Sequence, residues 1–215
     1  MGVRLAEKAS ETPSLLLVDE QYEQRSPEWF EWRKLGIGSS EAPVLMGYDK
    51  YCKIDELWRY KTGLQIREPT FGYMAERGTR LEPAALRAYQ RHTKLKMVDR
   101  LFTHKKYKFI RASLDGWNEE FEIFVEIKCP NRTNHYRAVA ENWIKPEYYT
   151  QIQHQFLASG AKYADFWSYD GRSGHKIPVL PNPWFMGELL EREILFWNCV
   201  ENRVEPDPSA FKEIA

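Results

Sequence analysis

The most regular alternation of apolar and polar residues lies between residues 121 and 129. One series is apolar throughout and consists of Phe121, Ile123, Val125, Ile127 and Cys129. The alternate positions include Glu126 and Lys128. Because successive side chains of a strand point to opposite faces, this pattern predicts a half-buried strand. Glu126 and Lys128 then lie side by side on the face away from the core.

A second predicted strand precedes this one, from about Arg100 to Ser113. Asp115-Gly116 is typical of a tight turn and predicts a hairpin that brings the Asp115 carboxylate to the end of the strand carrying Glu126. Two interpretations of this group stay open. It is either a cross-strand salt bridge on a solvated face, or a catalytic group in which the carboxylates bind Mg²⁺ and Lys128 acts on an attacking water.

Local start and end signals predict the helices around these strands. Ser26-Pro27-Glu28 supplies an N-cap, a proline at the first helical position and an acid in the first turn. The further predicted elements are helices from about Asp55 to Thr62, from about Thr79 to Thr93 with Pro83 in its first turn, from Pro146 to Gly160 and after Asn182-Pro183, and a strand from Ala161 to Tyr169. The order predicts an α/β (α+β) fold with a mixed central β-sheet flanked by helices.

Three features of the sequence allow both a structural and a functional interpretation. The segment 36–41 reads Gly-Ile-Gly-Ser-Ser-Glu, which is typical of an anion site at a helix start and equally of a tight turn with a serine N-cap. Glu82 either complements a helix dipole or serves a site. Trp29 and Trp32, three residues apart, favour a core stripe over a platform for bases.

The length and composition are those of a globular α/β protein. The 215 residues are 43% hydrophobic, and residues 21–215 show no repeat or linker, which predicts one domain behind a flexible N-terminal tail at residues 1–20. The 31 basic and 31 acidic residues give zero net charge, which excludes a uniformly basic surface. Between Arg100 and Arg111, however, five basic residues occur without an acid, as in a phosphate track or an edge strand protected by lysines.

Cysteine usage and hydropathy exclude several classes of protein. The three cysteines are far apart and form no CxxC pair, which argues against a zinc ribbon, an iron–sulfur cluster or a disulfide framework. No stretch approaches the roughly 18 apolar residues of a membrane helix, and LLLV at residues 15–18 is too short for a signal peptide. We therefore expect a cytoplasmic protein without a membrane partner.

Five segments in this order resemble the phage lambda exonuclease (YqaJ-type viral recombinase) family of the PD-(D/E)XK nuclease superfamily. They are WRKLGIGSSEAPVLMG (32–47), ERGTRLEPAALRAY (76–89), ASLDG (112–116), VEIKCP (125–130) and YYTQIQHQFLASG (148–160). Together they span about two thirds of the chain. The resemblance implies a restriction-endonuclease-like PD-(D/E)XK core in a single exonuclease domain.

The resemblance also implies roles for the acidic cluster and its neighbours. Asp115 and Glu126 match the metal-binding carboxylates, with the carbonyl of Ile127 facing the metal between them. Lys128 matches the lysine that acts on the attacking water. The remaining matches are Glu82, the additional acid beside the metal, and Gln151, the glutamine on the helix behind the site.

A pocket for a terminal 5′ phosphate is implied by the same resemblance. Ser40 matches the serine that helps to hold the phosphate. Arg33 and Lys34 are alternatives for the basic residue that contacts it. For a second basic contact after the Cys-Pro pair, Arg132 and Arg137 are both candidates, because the spacing there departs from the family's pattern.

The activity implied is that of a Mg²⁺-dependent 5′→3′ exonuclease, with Mn²⁺ as a substitute, which degrades one strand of linear duplex DNA with 5′-phosphorylated ends to mononucleotides. The resemblance further implies a ring-shaped homotrimer, a phage single-strand annealing protein that receives the 3′ tails, and a phage or prophage gene expressed in a bacterial host. The alternatives are a restriction or repair endonuclease of the same superfamily and a non-catalytic DNA-binding protein with a degenerate nuclease fold. The latter predicts the loss of a site residue, whereas the five matched catalytic residues are all present.

Overall fold

A computed structural model describes residues 22–66 and 72–213 of the chain. The predicted tail at residues 1–20 lies outside the described residues. The helices are α1 (Pro27–Lys34), α2 (Ala42–Leu45), α3 (Ile54–Lys61), α4 (Tyr73–Thr93), α5 (Arg132–Glu141), α6 (Pro146–Ser159) and α7 (Pro183–Glu201). The strands are β1 (Ile37–Gly38), β2 (Val98–Thr103), β3 (Ile110–Asn118), β4 (Ile123–Lys128), β5 (Tyr163–Tyr169) and β6 (Gly174–Val179). The predicted mixed sheet flanked by helices is confirmed, while α2, α5, β1 and β6 were not predicted.

Capping side chains begin two of the predicted helices. The Ser26 hydroxyl accepts a hydrogen bond from the Trp29 N–H at 3.2 Å and starts α1. Asn182 does the same for α7 by accepting from the Phe185 N–H at 3.1 Å. Trp29 is buried on the inner face of α1, together with Trp32, so the predicted core stripe is confirmed.

The helix α4 begins earlier than the sequence pattern suggests. It runs from Tyr73, so Pro83 lies in its interior and the prediction that Pro83 occupies the first turn is wrong. Glu82 therefore sits far from the helix start, where the dipole no longer acts on it. The dipole interpretation of Glu82 is wrong as well.

The predicted hairpin has its turn in a different place. Asp115-Gly116 is not a turn, because β3 continues through it to Asn118. The chain reverses at residues 119–122, where the Asn118 side-chain oxygen accepts from the Phe121 N–H at 3.0 Å. Phe121 thus lies outside β4 and is exposed, contrary to the prediction. Gly116 serves packing instead, since a Cβ there would lie only 2.9 Å from the Val125 side chain.

The predicted strand from Arg100 to Ser113 is two strands with a loop between them. β2 and β3 pair in antiparallel fashion, with Thr103 opposite Arg111. Three exposed lysines, at positions 105, 106 and 108, lie in the loop that joins them. The interpretation as a lysine-protected edge strand is therefore wrong, because these lysines do not belong to a strand.

The sheet forks along one edge of β3. Arg111 is opposite Thr103 of β2 on one side and Gly38 of β1 on the other. Trp117 is opposite Val98 of β2 and, on the other side, Phe124 of β4. β1 and β4 therefore share one edge of β3, one at each end. Between them, residues 112–115 have no strand partner on that edge among the described residues.

Helices cover both faces of the sheet where β4 crosses it. Val125 and Ile127 pack against α4, and Phe124 packs against α6 in the largest core cluster. Glu126, which lies on the same face as Phe124, is 3% exposed. The alternation along β4 is confirmed, but the prediction that Glu126 faces away from the core is wrong. In a central strand with both faces covered, the polar face is buried too.

Candidate active site

The fork in the sheet opens into two adjoining cavities. The first, of about 260 Å³, is lined by residues of both covering helices, including Glu82 of α4 and Gln151 of α6. The second, of about 240 Å³, is lined by Lys128, Tyr148 and the Cys129-Pro130 segment. Asp115 and Glu82 line both cavities. Because β1 and β4 leave the middle of β3 without a partner on one edge, side chains from both faces of the sheet line the same cavity.

Asp115 sits at the branch point of the fork. Its Oδ2 accepts a hydrogen bond from the Ile127 N–H at 2.8 Å. The Asp115 side chain thus takes the place of a backbone carbonyl of β3, because the pairing of β3 with β4 ends at Gly116 and Val125. The pKa of Asp115 is raised well above its ordinary value, chiefly by burial and then by the negative charge of Glu126, with a smaller contribution from Glu82. Asp115 is thus a carboxylate whose surroundings disfavour its negative charge.

Glu126 is held by donors from two elements. One carboxylate oxygen accepts from the Lys128 ammonium, and the other accepts from the Gln155 amide of α6 at 2.6 Å. Burial alone lowers the pKa of Lys128, but the carboxylates of Glu126 and Asp115 outweigh it and the pKa of Lys128 is raised. Lys128 is therefore an ammonium at neutral pH, and it also lies over the Tyr148 ring at 5.2 Å.

Gln155 was missed as a site residue, although it shares a helix face with Gln151. The two residues are four apart on α6 and both line the first cavity, as one helix turn requires. Gln155 is the one that bonds Glu126. The spacing was visible in the sequence, but which of the two glutamines contacts the acid depends on the height of α6 above β4.

Ser40 of the Gly36–Glu41 segment and Arg33 of α1 lie together on another wall of the first cavity. The Arg33 Nη2 donates to the Ser40 hydroxyl at 2.6 Å, and the guanidinium stacks over Trp29 at 4.6 Å. Gly38 leaves room for this guanidinium, because a Cβ there would lie 3.0 Å from it. The serine N-cap predicted for this segment is wrong, since the N-cap residue of α2 is Glu41 and no side chain caps this helix.

A buried ion pair fixes this segment from behind. The Glu41 Oε2 lies 2.7 Å from the Lys61 Nζ and accepts from the Gly38 N–H at 2.8 Å. The Lys61 ammonium also donates to the Arg33 carbonyl at 3.0 Å. The attraction of Lys61 and then of Arg33 outweighs burial and lowers the pKa of Glu41. The pair therefore links the serine turn and the arginine in one rigid unit.

Of the predicted basic residues, Arg33 is the one that lines either of these two cavities. Lys34 is exposed and paired with Glu31 at 2.5 Å. Arg137 stacks on Trp143 at 3.7 Å, and Arg132 is exposed at the start of α5; neither lines the two cavities. Arg111 was missed and lines the first cavity, with its guanidinium held by the Trp32 carbonyl at 2.5 Å. It was hidden within the basic stretch, where nothing distinguishes it from its neighbours.

Unused hydrogen-bonding capacity is concentrated at the first cavity. Among the described residues, seven buried side-chain polar atoms have no partner. Four of them belong to residues that line this cavity: Trp29 Nε1, Ser39 Oγ, Ser113 Oγ and Gln155 Oε1. Buried polar groups are normally paired, so such a cluster indicates a place where a polar ligand completes the bonding.

The acids of the site fit a divalent cation that retains water ligands. In the part of the chain that the structure describes, no three histidine, cysteine, aspartate or glutamate side chains are grouped closely enough to enclose an ion by themselves. Mg²⁺ usually needs only one or two carboxylates beside waters and phosphate oxygens. Asp115 and Glu126 supply two such carboxylates, whose repulsion a cation would relieve. The Ile127 carbonyl faces the same strand edge as its N–H, toward Asp115.

Comparison with known families places this site in context. The YqaJ-like viral recombinase domain matches residues 28–162, which cover more than half of the chain and include the whole fork. The chain belongs to this family. The matched range contains Glu82, Asp115 and Glu126. It also contains all the residues that line the first cavity except Gln24 and Arg25.

The relatives of this YqaJ-family chain include a bacterial protein and a solved nuclease. It is 25% identical over 181 residues to the "Uncharacterized protein YqaJ" of Bacillus subtilis (strain 168), and it spans 56% of that protein's length. It is 26% identical to the alkaline exonuclease LHK-Exo of Laribacter hongkongensis, with a TM-score of 0.73 over 84% of this chain and 95% of that one. The same enzyme in complex with dAMP matches at 25% identity and the same TM-score. A phage-related exonuclease of Haemophilus somnus, at 14% identity and a TM-score of 0.59, shares the fold.

These likenesses confirm the family and the fold that the sequence predicted. The described helices include none with the length and apolar character needed to cross a membrane.

Proposed function

We propose that the chain is a deoxyribonuclease, and specifically a Mg²⁺-dependent 5′→3′ exonuclease that shortens one strand of linear duplex DNA. Family membership and the likeness to an alkaline exonuclease support the nuclease activity. The observation that carries the proposal is the convergence of Asp115, Glu126 and Lys128 at the fork of the sheet. Two neighbouring acids beside an ammonium, with the pKa of Asp115 raised, suit phosphodiester hydrolysis better than they suit a structural ion pair.

In the proposed reaction, a water oxygen bonds to phosphorus and the bond from phosphorus to the 3′ oxygen breaks. A divalent cation on Asp115 and Glu126, with Glu82 and the Ile127 carbonyl beside it, would supply charge stabilisation at the phosphate and lower the pKa of a water. Lys128 donates hydrogen bonds, so it orients the attacking water and offsets the negative charge that develops on phosphorus. Gln155 keeps Glu126 in place. The attacking water releases its proton to solvent, and the leaving 3′ oxygen takes a proton from solvent.

The wall formed by Arg33 and Ser40 is the proposed seat of a terminal 5′ phosphate. A guanidinium offers paired donors to phosphate oxygens. The unpaired Ser113 and Ser39 hydroxyls line the same cavity and can complete the bonding. Because only a chain end carries a free 5′ phosphate, a filled pocket would set both the preference for ends and the direction of degradation. Arg33 is chosen over Lys34 because Lys34 does not line the cavity.

The wider assignments follow from the same resemblance. We expect Mn²⁺ to replace Mg²⁺, a homotrimeric ring around duplex DNA, and transfer of the 3′ single-stranded tails to a phage annealing protein during recombination. The exposed lysines of the β2–β3 loop supply local positive charge for the DNA backbone in a chain of zero net charge.

A cleavage assay with matched substrates tests the proposal. Linear duplex DNA with and without 5′ phosphates and a covalently closed circle are incubated with the protein in Mg²⁺, Mn²⁺ or EDTA. An exonuclease degrades the phosphorylated linear DNA fastest, releases mononucleotides, spares the circle and stops in EDTA. Cutting of the circle would establish the alternative of a restriction or repair endonuclease. Binding without any cleavage would establish the non-catalytic alternative and refute the proposal.

A further inference from the structure

Arg25 stands at the entrance of the site in a backbone conformation that arginine rarely adopts. Its φ is 74°, in the left-handed region. The turn is held by a hydrogen bond from the Ser26 N–H to the Glu23 carbonyl at 3.0 Å, directly before the cap of α1. Unusual backbone conformations of this kind concentrate at functional sites, where the surrounding structure holds them. The turn projects the side chain toward the fork.

The Arg25 side chain lines both cavities of the site. It belongs to the wall of the first cavity, with Arg33 and Ser40, and to the wall of the second, with Lys128. A phosphodiester that runs from the proposed 5′-phosphate pocket to the proposed attacking water must cross this boundary. Arg25 is therefore placed where the first internucleotide phosphate would lie.

The present partner of Arg25 is an exchangeable one. Its Nη2 lies 3.1 Å from the Glu82 Oε2, and the two side chains are 49% and 32% exposed. Ion pairs exposed to this extent contribute little to stability, so separating this one costs little. By contrast, Arg33 and Arg111 donate to a serine hydroxyl and a backbone carbonyl, neither of which is a proposed metal ligand. Arg25 alone among these three arginines is paired with a carboxylate that the proposed function assigns to the metal.

We propose that Arg25 is a substrate-positioning residue that leaves Glu82 and binds the phosphodiester to be cleaved. This inference rests on the proposed function of the site. The exchange preserves the charge balance, because Glu82 becomes available to the cation at the moment when a phosphate oxygen becomes available to Arg25. The guanidinium has five N–H donors, of which the bond to Glu82 accounts for one, so a forked contact to two phosphate oxygens is open to it.

A binding experiment with a neutral linkage tests this contact without any turnover. The probe is a 5′-phosphorylated duplex in which the first internucleotide phosphate is replaced by an uncharged methylphosphonate, and affinity is measured by fluorescence anisotropy in EDTA. The replacement should weaken binding by the wild type about tenfold, as expected for the loss of one charge-assisted contact. It should weaken binding by Arg25→Ala no more than about twofold, because the contact is already absent. Equal weakening in both proteins would overturn the inference.

Three variants separate this role from a structural one. Arg59→Ala removes an α3 arginine of similar exposure, which pairs with Asp55 and Glu205. The neutral linkage should weaken binding by this variant as much as it weakens binding by the wild type. Arg25→Lys keeps the charge but loses the fork, and it should show an intermediate response. Glu82→Gln frees Arg25 and should tighten binding to the unmodified duplex about threefold, as expected for releasing an exposed ion pair. If Glu82→Gln weakened binding as much as Arg25→Ala does, the pair would be purely structural and the inference would fail.

Turnover by the wild type distinguishes failure of this inference from failure of the proposed function. If the wild type degrades linear DNA in Mg²⁺ and the neutral linkage affects Arg25→Ala as it affects the wild type, only the role of Arg25 is refuted. If the wild type degrades no DNA, the proposed function is refuted, whereas the binding data still show whether Arg25 contacts that phosphate. In an active protein, Arg25→Ala should lower turnover about 100-fold, because an oriented donor at the reacting phosphate is lost. A rise in turnover would show that Arg25 blocks the site and would overturn the inference.

Discussion

Two acidic centres lie on either side of β4, at Asp165 of β5 and Asp115 of β3, and they differ in the groups that surround their carboxylates. Asp165 of β5 is 2% exposed and receives hydrogen bonds from the hydroxyls of Tyr89 at 2.7 Å and Tyr163 at 2.8 Å, with the Lys176 ammonium at 3.3 Å. At the fork, Asp115 faces other carboxylates and has a raised pKa. The protein supplies all the partners of the Asp165 centre. At the fork, the carboxylates repel one another, and four polar atoms of residues that line the adjoining cavity have no partner.

This contrast shows that burial of an acid does not by itself indicate function. A buried carboxylate that the fold fully satisfies contributes to packing and specificity. A buried carboxylate that is repelled by neighbouring carboxylates lowers the stability of the folded protein, and a bound cation relieves that repulsion. Functional sites are typically less stable than they could be for this reason. The satisfied Asp165 centre is therefore the internal control for the proposed active site, and the predictions below compare the two.

The largest expected difference is in the rate of DNA degradation between variants of Lys128 and Lys176. Lys128→Ala should lower the rate of DNA degradation by at least about 1,000-fold, because the donor beside the reacting phosphate is lost. DNA binding in Ca²⁺ should remain close to that of the wild type. Lys176→Ala is the matched control beside Asp165 and should keep its activity while losing some stability. Normal turnover by Lys128→Ala would remove this residue from the mechanism.

Changing each aspartate to asparagine should have opposite effects on stability. Asp165→Asn should lower the free energy of unfolding by about 3 kcal/mol, because buried donors lose their charged acceptor. Asp115→Asn should raise it by about 1 kcal/mol at neutral pH in EDTA, because a repelled charge is removed while the acceptor for the Ile127 N–H is kept. Urea unfolding measures both values.

The gain from Asp115→Asn should depend on pH in a defined direction. Since the folded state raises the pKa of Asp115, ionising this group costs stability, and the cost appears as the pH rises from the ordinary carboxyl pKa through the folded value. The difference between variant and wild type should therefore disappear in acid. A destabilised Asp115→Asn at neutral pH would show that the two centres do not differ in the proposed way.

Addition of Mg²⁺ should stabilise the wild type and fail to stabilise Asp115→Asn. At a concentration about 100 times the dissociation constant, the free energy of unfolding rises by about 2.7 kcal/mol. For a domain of this size, that corresponds to roughly 5–10 °C in the midpoint of thermal unfolding. Asp165→Asn should show the same shift as the wild type, since its carboxylate has protein partners only. An equal shift in all three proteins would place the cation elsewhere.

The smallest expected effect comes from a buried ion pair away from both centres, which tests whether a buried carboxylate with a charged partner is generally structural here. The Nδ1 of His154 lies 2.6 Å from the Glu193 carboxylate, and its Nε2 lies 2.9 Å from the Arg111 carbonyl. Burial lowers the pKa of His154, but the charge of Glu193 outweighs it and the pKa is raised. The contribution of this pair to the free energy of unfolding should be fully present below about pH 6.5. It should fall by about 1 kcal/mol as the pH rises through the pKa of His154 in the folded protein. His154→Gln should flatten this dependence in urea unfolding, and an unchanged slope would contradict the assignment.

Local rules predicted those parts of the molecule in which neighbouring residues decide the structure. Ser26 and Asn182 were recognised as helix caps because a cap needs only its own turn. The alternation along β4 identified which side chains share a face. The order of the five resembling segments identified the family, and the resemblance predicted the acids and the lysine that the structure brings together at the fork.

Long-range pairing decided what these rules could not reach. Asp115-Gly116 has the composition of a turn, yet it continues a strand, because β2 pairs with Leu114 and Trp117 on either side of it and β4 pairs with Gly116. Glu126 was placed on a solvated face because the sequence does not show that α6 covers β4. Arg33 was not separable from Lys34, since the two are adjacent on one helix and only its position against Ser40 distinguishes them.

The sequence by itself therefore predicted which residues form the proposed active site and most of the secondary structures that hold them, because both depend on residue types at short spacing. Only the tertiary structure decided that β1 and β4 divide one edge of β3 and leave a gap between them. That gap joins the two faces of the sheet, so acids from α4, β3 and β4 meet a glutamine from α6 and an arginine from before α1. Contacts between elements so distant in the chain are set by packing and strand register, which no local pattern encodes.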